Sequence, residues 1–98
     1  MTRDAIINQI RAMRPKLEAQ GVLHLAIFGS RARGDARPDS DLDVLIDEIP
    51  GRRFSLYDLI GVQHIISDEL GIDAQATMRE GLNERFKVRI ADDVTEVF

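Results

Sequence analysis

Gly29-Ser30-Arg31-Ala32-Arg33-Gly34, followed by Ser40-Asp41-Leu42-Asp43, is the stretch that decides how this chain is read. Its first part is a small polar turn with spare backbone N–H groups, able to cradle an anion the size of a phosphate. Gly29 lets the backbone come close, and the Ser30 hydroxyl adds a donor. In a strand, residues two apart point the same way with Cα atoms about 6.5–7 Å apart, so Asp41 and Asp43 converge. Hard divalent cations take such oxygen ligands, and paired ions in phosphoryl-transfer sites lie about 3.5–4 Å apart, a gap that two carboxylates can bridge. An isolated Asp-x-Asp more often just faces solvent, and a lone Gly-Ser is an ordinary strand-to-helix turn with serine as the cap. Joined within about a dozen residues, with arginines between, the two read as a site for a nucleoside triphosphate.

The flanking segments predict what carries this stretch. Ile6, Ile10, Met13 and Leu17 fall at helical spacing, and Pro15 divides the helix near Met13 into two pieces, the second stopped by Gly21. Val22–Phe28 alternates as a strand with Leu23, Leu25 and Ile27 on one face, and delivers Gly29 at its end. Asp41–Ile46 is a second strand, with Leu42, Val44 and Ile46 on one face and Asp41, Asp43 and Leu45 on the other. Ser55 and Asp58 form an acidic capping box for a helix whose expected buried side is Leu56, Leu59, Ile60, Ile66 and Leu70, with Tyr57 as a packing residue and Gly71 as the stop. Ile72–Thr77 is a third strand carrying Asp73. A last helix runs from an Asn83 cap to Ala91, and Val94–Phe98 adds a short strand. The expected fold class is α/β: a small, mixed, twisted sheet flanked by helices, with the site at the ends of two neighbouring strands.

Composition narrows the chemistry. The chain has 98 residues, 44% hydrophobic and 31% charged, and reads as a single domain spanning 1–98. No apolar run is long enough to span a bilayer and no signal peptide opens the sequence, so a cytoplasmic location and no membrane partner are expected. With no cysteine and only His24 and His64, zinc is disfavoured. The net charge of −4 argues against direct nucleic-acid binding, which needs a basic surface. The cations are unevenly placed, however: eleven of the 13 basic residues are arginine, and Arg31, Arg33 and Arg37 crowd the glycine loop. A local positive site within an acidic chain fits a small anionic ligand.

The run Phe28-Gly29-Ser30-Arg31-Ala32-Arg33-Gly34 with Ser40-Asp41-Leu42-Asp43-Val44 resembles the signature of the minimal nucleotidyltransferases, a branch of the DNA polymerase β-like superfamily, over nearly the whole chain. The resemblance implies a polymerase β-like nucleotidyltransferase fold and a set of site residues. Gly29 and Ser30 would hold the nucleotide phosphates, with Arg31 and Arg33 on the triphosphate or the acceptor. Asp41 and Asp43 would hold metal, with Mg²⁺ as the implied cofactor in two ions and ATP as donor. Asp73, in Gly71-Ile72-Asp73-Ala74, matches the third carboxylate, expected to position a metal and to take or orient the acceptor's proton. The larger relatives' acceptor-binding domains have no room here. Stand-alone domains of this branch resemble antitoxins whose partner is a small helical HEPN-type toxin, which implies transfer of AMP from ATP to a tyrosine of that toxin. The alternative is a binding module that neutralises such a toxin stoichiometrically, its nucleotide site dispensable.

Overall fold

Alternating, branched-residue-rich sequence makes Val22–Phe28 and Leu42–Glu48 the two central strands, β1 and β2, in the computed structural model, which describes Met1 to Phe98. They pair antiparallel with Phe28 opposite Asp43. β3 (Ala74–Met78) runs parallel to β2, Ala74 beside Leu42 and Gln75 beside Asp43, and β4 (Thr95–Glu96) pairs antiparallel with β1. The sheet order is β3-β2-β1-β4. A parallel neighbour demands a crossover, and α4 (Leu56–Leu70) supplies it. The sheet is therefore mixed, as the sequence leads one to expect.

The remaining helices are α1 (Arg3–Ala12), α2 (Arg14–Gln20), α3 (Ser30–Arg33) and α5 (Glu84–Ile90). Pro15 sits in the first turn of α2, where its missing N–H costs nothing, and Gly21 closes that helix at φ 107°. One sheet face, with Leu25, Ile27, Val44 and Ile46, packs on Ile6 and Ile10 of α1, Leu17 of α2 and Val62 and Ile66 of α4. The opposite face holds a smaller cluster, Ala26, Phe28, Leu45 and Ile90, with Phe86, Leu82 and Val94 against it. This second face carries Asp43, since Phe28, Asp43 and Gln75 lie side by side across three strands.

Three expectations are corrected. The β1 register shifts between Val22 and His24, so Val22 is fully buried and Leu23 is turned outward, 37% exposed. In α4, Leu59, Val62, Ile66 and Leu70 share the stripe facing the body. At 3.6 residues per turn Leu56 and Ile60 are rotated about 80° and 120° from Ile66, and Tyr57 stands about 180° away. Accordingly Leu56 and Tyr57 are largely exposed and Ile60 partly so, rather than packed. Finally, β3 begins at Ala74, so Asp73 precedes the strand instead of lying within it. The Ser55–Asp58 capping box forms as expected, Ser55 N–H donating to Asp58 Oδ2 at 2.8 Å. No helix is long and apolar enough to cross a membrane.

Candidate active site

β1 ends at Phe28 and the chain turns at Gly29 with φ 76° and ψ −159°, a conformation close to exclusive to glycine. A Cβ at Gly29 would collide with Asp43 Oδ2. Gly29 is thus the point where the loop backbone and the Asp43 carboxylate touch, and the missing side chain is what allows it. Gly29 also caps α3, no side chain caps that helix, and half-buried Ser30 opens it.

Asp43 is half-buried on β2, and its carboxyl is held above the ordinary value of 3.8, chiefly by burial and then by the charge of Asp41, with Arg33 pulling the other way. Asp41 is exposed, one residue before β2. The sequence left open whether the strand after Gly71 lies beside Asp41–Ile46. It does: the Asp73 carbonyl accepts a hydrogen bond from Leu42 N–H at 2.8 Å, placing Asp73 level with Asp41 at the entering ends of two parallel strands. The expected three-carboxylate metal set is nevertheless not gathered, since no three Asp, Glu, His or Cys side chains converge to hold an ion. Asp73 lies before its strand and is exposed, and like charges have no reason to close together without a counter-charge.

The donors present still fit a hard divalent cation. Asp41 and Asp43 offer only oxygen ligands, and the charge of Asp41 adds to the cost of ionising the half-buried Asp43, a cost that a bound cation would offset.

The two arginines take separate roles. Arg31, expected on the triphosphate or the acceptor, is 7% exposed and grips its own loop: Nε and Nη2 donate to the Ser40 carbonyl at 3.2 and 2.8 Å, and Nη2 to the Pro38 carbonyl at 3.3 Å. It fixes the segment that enters Asp41. A lysine cannot reproduce the planar fork, so Arg31→Lys should lower stability by ~2 kcal/mol, a fall in melting temperature of order 10 °C for a domain of this size, read by thermal denaturation. Arg33 lies exposed between Asp35 at 3.1 Å and Asp93 at 2.9 Å, and these hydrogen bonds hold its pKa above the ordinary value. Its charge acts on Asp43, so it belongs to the site's field while tied to the turn after α5.

Several contributors escaped the sequence. Asp93 anchors Arg33 from 60 residues away. Phe86 of α5 packs edge-on against Phe28, ring centroids 5.9 Å apart, with the Arg89 guanidinium 5.4 Å over its ring. The Phe86–Ile90 spacing signalled an apolar stripe, though nothing indicated which face it covers. Asp47, on the same strand face as Asp43, faces Arg79 Nε at 3.2 Å without hydrogen-bond alignment, while Arg79 Nη2 reaches Glu96 of β4 at 2.8 Å. That cross-sheet tie is structural. His24 and His64 are exposed.

The fold that carries this glycine turn and carboxylate pair has known counterparts. The profile of the nucleotidyltransferase domain matches residues 7–95. The chain belongs to the nucleotidyltransferase domain family. A Methanocaldococcus jannaschii protein named as a candidate protein adenylyltransferase is 32% identical over 93% of this chain and 97% of its own length. The protein adenylyltransferase MntA of Thermococcus cleftensis is 31% identical over 99% of this chain and 97% of its own. Among solved structures, one described as a candidate minimal nucleotidyltransferase superposes with a TM-score of 0.78 at 27% identity, covering 97% and 95% of the two chains. The MNT antitoxin solved with a tri-AMPylated HEPN toxin of Shewanella oneidensis shares the fold, with a TM-score of 0.67 at 11% identity over 99% and 72%. This nucleotidyltransferase domain is therefore an enzyme of nucleotidyl transfer built on the minimal form of the fold.

Proposed function

We propose that the domain transfers AMP from ATP to a tyrosine hydroxyl of a small helical HEPN-type toxin and so acts as its antitoxin. The observation that carries the reading is the contact of Gly29 with the Asp43 carboxylate, which sets a phosphate-sized turn against a carboxylate pair. The adenylyltransferase relatives supply the nucleotide and the protein acceptor by analogy. The shared fold of a toxin-bound antitoxin supplies the class of partner.

Asp41 and Asp43, joined by Asp73 once charge is neutralised, would hold Mg²⁺, which when bound supplies charge neutralisation on the triphosphate and lowers the acceptor's pKa. The chain's own residues do the rest. The Gly29–Ser30 turn receives the phosphates and fixes their distance from Asp43. Arg31 holds the loop that positions Asp41, and Arg33 offsets negative charge beside Asp43. Asp73 accepts or orients the proton of the acceptor hydroxyl as its oxygen attacks the α-phosphorus; the bond to the β-phosphate oxygen breaks and pyrophosphate leaves.

Incubation with the protein encoded by the neighbouring gene tests the reading. Label from [α-³²P]ATP should appear on that protein, label from [γ-³²P]ATP should not, and EDTA should abolish transfer. Absence of α-label on the neighbour, or transfer of γ-label, would contradict it.

A further inference from the structure

A cleft lies beside the loop that Arg31 holds. It encloses about 560 Å³ and is lined by Arg3, Arg31 and Arg37, together with apolar Ala36, Leu70 and Ile72. No aspartate or glutamate lines it, in a chain whose net charge is −4. None of Gly29, Ser30, Asp41 or Asp43 lines it either, so it is separate from the carboxylate pair.

Arg31 is the most telling member. It is 7% exposed, makes no ion pair, and satisfies Nε and Nη2 on the carbonyls of Pro38 and Ser40, which leaves Nη1 without a hydrogen bond in the chain. Nη1 is the part of this guanidinium left open to a ligand, and an anion in the cleft would pair with it. Arg37 has no side-chain partner, while Arg3 has only the Ala32 carbonyl at 3.3 Å and an exposed Asp4 at 3.9 Å. Two further guanidiniums are thus free to close on the same anion. A bare phosphate would use the arginines and leave the apolar wall of Ala36, Leu70 and Ile72 without a role. A nucleoside attached to the phosphate would use both.

From this geometry we infer that the cleft binds a nucleoside monophosphate group without a divalent cation. The group has two sources: free AMP, or the AMP already joined to a tyrosine acceptor. The second source rests on the proposed transfer, whereas binding of free AMP does not. Because Gly34, Ala36, Arg37 and Pro38 of the cleft wall lead on to Ser40 and Asp41, a ligand there would steady the loop that enters the active site.

Calorimetric titration in EDTA, where no transfer proceeds, tests this on the full chain with AMP, inorganic phosphate, adenosine and the tyrosine O-AMP ester as probes. AMP or the ester should bind one to one, at least tenfold tighter than phosphate or adenosine, and whichever of the two binds tighter identifies the source. Arg37→Ala, which removes no side-chain hydrogen bond or ion pair within the protein, should weaken binding about tenfold and the Arg3→Ala, Arg37→Ala pair further, while Ser30→Ala leaves it unchanged. No saturable binding of either nucleotide, binding indifferent to Arg37→Ala, or binding lost in Ser30→Ala would overturn the inference. None of these results depends on adenylyl transfer, so failure here is distinguishable from failure of the proposed activity.

Discussion

Asp43→Asn should make the protein more stable at neutral pH while reducing adenylyl transfer by about 10³-fold, a loss of ~4 kcal/mol of transition-state stabilisation. The stability gain follows from the environment of the carboxylate. Its pKa in the folded chain is raised above 3.8 by burial and by Asp41. For an acid with a raised folded pKa, no penalty exists below the unfolded pKa, where both states are protonated. The penalty grows as pH rises from the unfolded to the folded pKa and then stays constant. Wild type at pH 7 therefore carries the full penalty, and the neutral amide does not. Thermal melts in EDTA should place Asp43→Asn above wild type at pH 7, with the two curves meeting below about pH 4. Added Mg²⁺ should raise the wild-type melting temperature and leave the variant's nearly unmoved, since a ligand stabilises only the form that binds it. A variant less stable than wild type at pH 7 would remove the electrostatic account. The trade of stability for function is the one commonly met at active sites.

Gly29→Ala is the second large effect, and it differs in kind because no charged group is lost. The new Cβ would stand against Asp43 Oδ2 in a backbone conformation that alanine avoids. The loop must shift or the carboxylate must rotate, at a strain cost of about 1–3 kcal/mol. A displacement of about 1 Å at a reacting centre costs on the order of 10²-fold in rate, so transfer should fall by at least that factor. Gly34→Ala is the informative comparison. Gly34 also has a positive φ, 86°, but a Cβ there meets nothing within 4 Å. Its loss should be about 1–2 kcal/mol of stability, with transfer by the folded protein close to wild type. Equal loss of activity in both variants would mean that backbone strain, not the contact with Asp43, governs the site.

Local patterns made much of this legible. Period-two alternation located β1 and β2, the Ser55–Asp58 box and Gly71 bounded α4, and Asp41-Leu42-Asp43 stood out because two acids on one strand face need a reason. What escaped depended on tertiary neighbours. The bulge that turns Leu23 outward arises from pairing with β2, which no property of Leu23 itself reports. Leu56 and Ile60 are apolar at plausible spacing, and only the direction from which the sheet meets α4 decides that Leu59, Val62 and Ile66 are covered instead. Arg31 and Arg33 look equivalent in sequence. One is buried because the loop folds its carbonyls back over it, and the other is held by Asp93 across the molecule. The gathering of Asp73 with the other two carboxylates was implied by resemblance, and the structure places its backbone level with Asp41 without bringing the three carboxylates into a metal set.

The most direct test of adenylyl transfer by this carboxylate pair is intact-mass spectrometry of the neighbouring-gene protein after incubation with ATP and Mg²⁺. It is run with wild type and with the Asp41→Asn, Asp43→Asn double variant, alongside an assay of the neighbour's toxicity. The account predicts that wild type adds one or more AMP units on a tyrosine and abolishes toxicity, and that the folded double variant does neither. An unmodified neighbour that is nonetheless silenced, or equal silencing by the double variant, would contradict it and show that the protein neutralises its partner by binding alone.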